Sequence, residues 1–237
     1  MADVEITKKQ SFTLDGVSTT KYNVGLSGSG RYRSAQRDVS TEHLSHRNGD
    51  IITDGGCFLN TTISYPCWIA HTFTSDFVSF RNFLMKHSDK YYKLTDTYDA
   101  NHFRMARVVG PIEPETKVML RVGTFDVQFD CKPQIFRNDG DSFRTVSSQI
   151  TNPTDFECYP ILSVGSNGSY SVNGYEFTLS GATGFPVFID CETMDAYNSN
   201  GDNMNKYVSL PIINIRLSSG VNKVSGTVSI KPRWFDM

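Results

Sequence analysis

Apolar and polar residues alternate most regularly just past the middle of the chain. Phe125, Val127, Phe129 and Cys131 fall on one side and Asp126, Gln128 and Asp130 on the other. That is the period of a strand with one buried face. Residues Val118 to Cys131 therefore read as one long strand. It is expected to stop before Pro133, which cannot donate to a sheet ladder. The chain beyond Pro133 is rich in Asn, Ser, Gly and Thr, so a domain boundary is expected at Pro133–Arg137, giving domains 1–133 and 134–237.

The same pattern divides the first part. Ser11 to Val24 reads as a hairpin about Asp15-Gly16, a dipeptide that tolerates positive φ. Residues 57–70 return to alternation, with Ile63, Tyr65, Cys67 and Ile69 on one face. Phe77, Phe80, Phe83, Leu84 and His87 follow the 3–4 spacing of a helix with one apolar stripe, capped by Ser75 or Asp76. Tyr91–Leu94 and His102–Val109 read as strands around Asp96–Asn101. Residues 25–56 show little periodicity and read as a long structureless segment, of the kind that is usually functional or disordered.

Past Pro133 only short strands are expected: Pro160–Val164, Ser169–Val172, Tyr175–Leu179, Phe185–Cys191, Tyr207–Leu217 and Gly226–Trp234, with a polar loop at Asn198–Asn205. Short strands at close spacing without a helical pattern suggest a sandwich. The 16 Phe and 11 Tyr also favour strands over helices.

Charge narrows the function. There are 16 basic and 15 acidic residues up to Pro133, and 7 and 10 after it, so neither part carries a nucleic-acid or anionic-membrane signature. No apolar run approaches the roughly 18–20 residues of a membrane span. The five cysteines, an odd number with no CxxC pair, fit folding in a reducing cytoplasm.

Candidate chemistry is thin. His43, His46 and Cys57 lack the ligand framework of a structural zinc site. Asn138–Asp141 and Asn198–Asn203 are oxygen-rich but lack EF-hand spacing, and turn chemistry accounts for them without calcium. Asp190, Glu192 and Asp195 cluster near an apolar strand, yet neighbours on one strand face do not define the cleft that glycoside hydrolysis needs. Gly25–Gly30 is glycine-rich but no helix follows it, so it is not read as a nucleotide loop. Trp68 and Trp234 are weighed as sugar platforms and read as core. No catalytic residue, metal or cofactor is expected.

Five segments in order carry a resemblance: Ser45-His-Arg-Asn-Gly-Asp-Ile-Ile-Thr-Asp-Gly-Gly-Cys-Phe-Leu-Asn60, Phe129-Asp-Cys-Lys-Pro133, Thr151-Asn-Pro-Thr-Asp-Phe-Glu-Cys-Tyr-Pro-Ile161, Phe188-Ile-Asp-Cys-Glu-Thr-Met-Asp-Ala-Tyr197 and Ile230-Lys-Pro-Arg-Trp-Phe235. Together they resemble the distal tail proteins of long, flexible-tailed bacteriophages, although Ser45 and His46 stand where that family often has Pro-Gly.

The resemblance implies a mainly β fold. An N-terminal β-barrel or sandwich-like domain with one α-helix would form the ring, followed by a C-terminal galectin-like β-sandwich. It also implies a structural, non-enzymatic role as a hexameric ring hub at the virion tail tip, made and assembled in the host cytoplasm. The expected partners are further copies of the chain, the tail tube protein and a tail-tip or baseplate protein, with DNA only as passing cargo. The rival reading is a carbohydrate-binding adhesion module that contacts a host glycan. Within residues 27–56, Arg31, Arg33, Arg37 and Arg47 are expected to contact the neighbouring subunit, since arginine suits bidentate carboxylate pairing.

Overall fold

The computed structural model describes residues 10–30, 33–70, 73–117, 122–209 and 215–237. It is mainly β, with one α-helix among the described residues. Two compact units divide the chain between Ile135 and Phe136.

The first unit is built on an antiparallel sheet. Its elements are β1 (Phe12–Leu14), β2 (Val17–Ser18), β3 (Val24–Leu26), β4 (Arg37–Glu42), β5 (Ile51–Phe58), β6 (Thr61–Ile69), α1 (Phe73–Met85), β7 (Tyr92–Asp96), β8 (Asp99–Val109), β9 (Glu115–Lys117) and β10 (Val122–Cys131). The strand order is β2-β1-β7-β8-β10-β6-β3, and β9 also pairs with β10. β10 and β6 run in register from Gly123–Ile69 to Cys131–Thr61.

That register puts Phe125, Val127, Phe129 and Cys131 on the same buried face as Ile63, Tyr65, Cys67 and Ile69, as the alternation predicts. Residues 118–121 of the expected strand lie outside the described residues. β10 ends at Cys131, just before Pro133.

Helix α1 closes this face. Phe73, Phe77, Phe80 and Leu84 are buried in one cluster with Phe12, Tyr65, Phe125 and Phe129. The apolar stripe starts one turn earlier than its spacing suggested, because Phe73 belongs to it. Ser75 and Asp76 consequently sit inside the first turn, not ahead of it. The Asp76 carboxylate accepts from Asn23 Nδ2 at 2.9 Å. His87 follows the helix end, its Nδ1 2.7 Å from the Phe83 carbonyl.

The expectation of a structureless stretch at 25–56 is overturned. β3 runs into its start, and β4 and β5 form a separate two-stranded antiparallel sheet. Most of the residues of β4 and β5 are exposed. Alternation reports a buried face, and this hairpin has none, so its strands are invisible to that test.

The second unit spans Phe136–Asp236. The chain enters it along β11 (Ile135–Arg137), then forms β12 (Arg144–Val146), β13 (Gln149–Asn152), β14 (Ile161–Val164), β15 (Gly168–Val172), β16 (Tyr175–Leu179), β17 (Val187–Asp190), β18 (Asp195–Asn198), β19 (Gly220–Ser225), β20 (Val228–Lys231) and β21 (Phe235–Asp236). Two antiparallel sheets result, ordered β12-β20-β14-β17-β18 and β13-β19-β15-β16. One buries Leu162, Val164, Val187, Ile189, Val228 and Ile230, and the other buries Ile150, Val172, Phe177, Leu179 and Val224. These two faces make the core of the expected sandwich.

Two strand expectations are corrected. Tyr207–Leu217 is not a strand at its described ends: Asn205–Tyr207 is a 3-10 turn, and Val208 and Leu217 make single bridges to Leu179 and Cys158. Residues 210–214 lie outside the described residues. Buried Ile215 and Leu217 gave that segment its apolar character without strand geometry. Conversely, β18 takes in Asn198 from what reads as polar loop, and β19 arises where no strand was expected.

Candidate functional site

The described arginines of the expected contact region lie on or beside the β4–β5 hairpin, and they differ in what they touch. Arg37 forms a two-pronged bond with Asp54 across the hairpin, Nε to Oδ1 at 2.9 Å and Nη2 to Oδ2 at 2.5 Å. Its guanidinium also lies 4.9 Å from the centre of the Phe58 ring. The Arg37 hydrogen bond, helped by the Gly56 amide, holds Asp54 below the usual carboxylate range. The fork of Arg37 is thus already engaged inside the hairpin.

Arg33 donates from Nη1 to the Thr62 carbonyl at 3.3 Å, and its own carbonyl accepts from Arg104. Arg47 sits exposed in the connection between the two strands, with no side-chain bond among the described residues. Arg31 lies outside the described residues.

The hairpin carries apolar groups in solvent. Ile52 is 68% exposed, and Val39 and Leu44 are also exposed. Its base is closed by a hydrogen bond from Leu59 N to Gln36 O at 2.8 Å. Its histidines have structural surroundings: His43 Nδ1 meets Asp50 at 3.0 Å, and His46 occupies a left-handed turn position with φ of 64°. Cys57 is exposed, with Sγ 3.7 Å from an Asp38 oxygen. No group of three or more metal-ligating side chains occurs among the described residues.

In the second unit the acidic cluster is spoken for. Arg233 binds Asp190 through both oxygens, at 2.6 and 2.9 Å, and reaches Glu192 at 3.1 Å. Asp190 also accepts from the Glu192 and Thr193 amides. A carboxylate held by a guanidinium and two amides is a structural anchor with no free edge for proton transfer. Asp195 is exposed and accepts from Asn205 Nδ2. The Asn198–Asn203 loop uses its oxygens on itself: Asn198 Oδ1 accepts from the Asn200 and Asp202 amides.

An open cleft of about 300 Å³ in the first unit is lined by Ser27, Pro66, Cys67, Glu113, Glu115, Thr124, Phe125 and Asp126. Its thiol, Cys67, is buried, and desolvation pushes its pKa far above the ordinary thiol value. A thiol kept protonated is not a nucleophile at neutral pH. Trp234 is buried core, as its position suggested, whereas Trp68 is half-buried. A Cβ added at Gly25 would strike the Trp68 ring at 2.5 Å, so that indole lies flat on the glycine backbone.

No protein-family model matches the chain. No curated protein sequence matches it either. Solved structures do. The crystal structure of the SPP1 Dit (gp 19.1) protein, a paradigm of the hub adsorption apparatus in Gram-positive infecting phages, superposes with a TM-score of 0.70 at 13% identity, over 94% of this chain and 97% of that one. A chain of the phage P2 baseplate in its activated conformation with Ca gives 0.55 at 8% identity, covering 94% and 97%. The same baseplate with Sr gives 0.53 at 8% identity, covering 95% and 99%. The chain therefore has a Dit-like fold over nearly its whole length.

Proposed function

We propose that this chain is the distal tail protein of a long-tailed phage, a structural and non-catalytic hub at the tail tip. The observation that carries this reading is the end-to-end match to SPP1 Dit, a hub protein, over 94% of this chain. In this reading residues 1–133 form a hexameric ring and 134–237 form an outward galectin-like sandwich. The ring joins the tail tube protein to tail-tip or baseplate proteins, and DNA passes through it as cargo. Each part is proposed to fold on its own, which separate expression with a circular-dichroism melt would test.

The β4–β5 hairpin supports the assembly role. An isolated two-stranded hairpin is marginal in water, and ordering its backbone costs roughly 1–2 kcal/mol per residue. Ile52, Val39 and Leu44 remain exposed on the chain alone. A ring offers that cover, because in a head-to-tail contact each subunit presents the same edge to its neighbour. Arg47 is the member of the expected arginine set best placed to reach across, and Arg37 serves to stiffen the arm through Asp54.

The base of the hairpin suits a clean excision, since Gln36 and Leu59 are hydrogen-bonded neighbours. Residues 37–58 can be replaced by a short Gly-Ser link without stretching the sheet. The excised protein is expected to melt as one folded species and remain monomeric by light scattering, while the parent forms rings. Rings of unchanged mass and stability after the excision would refute the role of the hairpin. A parent that stays monomeric at all concentrations, with and without tail tube protein, would refute the hub reading itself.

A further inference from the structure

A second cleft, of about 220 Å³, opens in the sandwich unit between Glu157, Asn173, Tyr175, Arg216 and Ser218. We propose that it is a binding site for one neutral hexopyranose ring of a surface polysaccharide. The site stands on this cleft alone and does not depend on ring formation.

The cleft is held from beneath by a fully buried side chain, Asn222. Its Oδ1 accepts from the Ser218 amide at 2.8 Å and from Asn173 Nδ2 at 2.6 Å, and its Nδ2 donates to the Ser218 and Gly220 carbonyls. Asn173 Nδ2 also donates to the Arg216 carbonyl at 3.1 Å. Two of the five lining residues, Ser218 and Asn173, are thus fixed to one buried amide, and Asn173 in turn holds the Arg216 carbonyl. Buried polar networks that are fully satisfied rigidify what they support.

The groups they present are complementary to a sugar. Arg216 Nη1 lies 3.2 Å from Glu157 Oε2, and Ser218 Oγ donates to Glu157 Oε1 at 3.3 Å. The Arg216 guanidinium is further held over the Tyr159 ring, 5.3 Å from its centre. Guanidinium and carboxylate remain substantially exposed, so each has bonding capacity left for a ligand. A donor and an acceptor side by side match vicinal hydroxyls, each of which both donates and accepts.

The pair neutralises itself, which disfavours phosphate, sulfate and uronates. Tyr175, 48% exposed, supplies an aromatic surface for the apolar side of a pyranose ring. Apolar cover with a few fixed polar groups is the usual composition of a small-ligand site.

The test is saturation-transfer NMR on the full chain with glucose, galactose, N-acetylglucosamine and rhamnose as probes. Transfer to the ring protons of at least one is expected. Tyr175→Ala and Arg216→Ala are each expected to weaken that sugar by at least about tenfold, the scale of one lost charged hydrogen bond or apolar contact. Phe143→Ala, an exposed aromatic outside the cleft, is the control and is expected to bind as the parent does.

No transfer from any of the four sugars overturns the proposal. So does transfer that survives both cleft substitutions, is lost in Phe143→Ala, or occurs only with glucuronate or is competed by sulfate. Light scattering on the same variants keeps the readings separate, since cleft variants are expected to keep the parent's assembly mass.

Discussion

Arg233 grips Asp190 with both arms of its guanidinium, 2.6 and 2.9 Å from the two carboxylate oxygens, and does so from a backbone position with φ of 61°. The bond ties the closing Lys-Pro-Arg-Trp segment to the end of β17. Both groups are largely withdrawn from water. A left-handed φ at a residue with a side chain costs energy, so the ion pair offsets local strain.

Breaking this pair is expected to be costly. Arg233→Met leaves Asp190 buried without its partner, and the loss is expected at about 3–5 kcal/mol. Arg233→Lys keeps the charge but gives up the two-pronged geometry, so it should fall between. Urea melts of the two variants check this. A loss below about 1 kcal/mol for Arg233→Met would make the pair an ordinary surface contact.

Phe80 is fully buried, with ring contacts to Phe12, Tyr22, Phe83 and Phe125. Phe80→Ala is expected to cost about 3–5 kcal/mol through lost burial and the cavity left behind. Val78, on the exposed side of the same helix, provides the comparison. Val78→Ala is expected to stay within about 0.5 kcal/mol of the parent.

Gly140 lies against the backbone of Trp234: an added Cβ would come within 2.6 Å of the Trp234 nitrogen. Backbone cannot swing aside as a side chain can. Gly140→Ala is therefore expected to destabilise by about 1–3 kcal/mol, the range for overpacking. Thermal melting, followed by far-ultraviolet circular dichroism, reports it directly. An unchanged melting temperature would show that the turn relaxes freely.

The thiols give a pH test. Cys57 is exposed, while Cys67, Cys131, Cys158 and Cys191 are buried. Burial pushes Cys131, Cys158 and Cys191 up to about 12. In the unfolded chain each titrates near about 8.5. Their folded pKa is raised, so their contribution is complete below about pH 8.5 and is lost as pH climbs from there toward about 12. Stability should fall over that window, and less steeply in a Cys158→Ala, Cys191→Ala double variant. A thiol reagent at neutral pH should modify Cys57 quickly and the others only on unfolding.

Where a face is buried, the reading from sequence and the structure agree. Phe125 to Cys131 and Ile63 to Ile69 had to lie on strands facing one core, because only period-two spacing puts those residues on one side. Phe77, Phe80 and Leu84 likewise had to share a helix face. The sandwich strands with buried alternation, β14, β15 and β16, fell where expected, while β19 did not, its outward Val221 and inward Asn222 reversing the usual polarity.

The chain's local chemistry thus determined its class: β-rich, with one helix on a sheet and a change of character after Pro133. Tertiary structure decided the rest, because the deciding partners are far apart in sequence. Asp190 looked like half of an acid pair until Arg233, 43 residues away, was placed on it. The five cleft residues come from three separate stretches, joined by direct bonds between Glu157, Arg216, Ser218 and Asn173 and through buried Asn222. The β4–β5 hairpin has no buried apolar face to announce it, and backbone pairing between Ile51–Glu42 and Phe58–Arg37 is what makes it a pair of strands. Backbone hydrogen bonds are the same for every residue type, so a strand held by them alone leaves no pattern in the side chains.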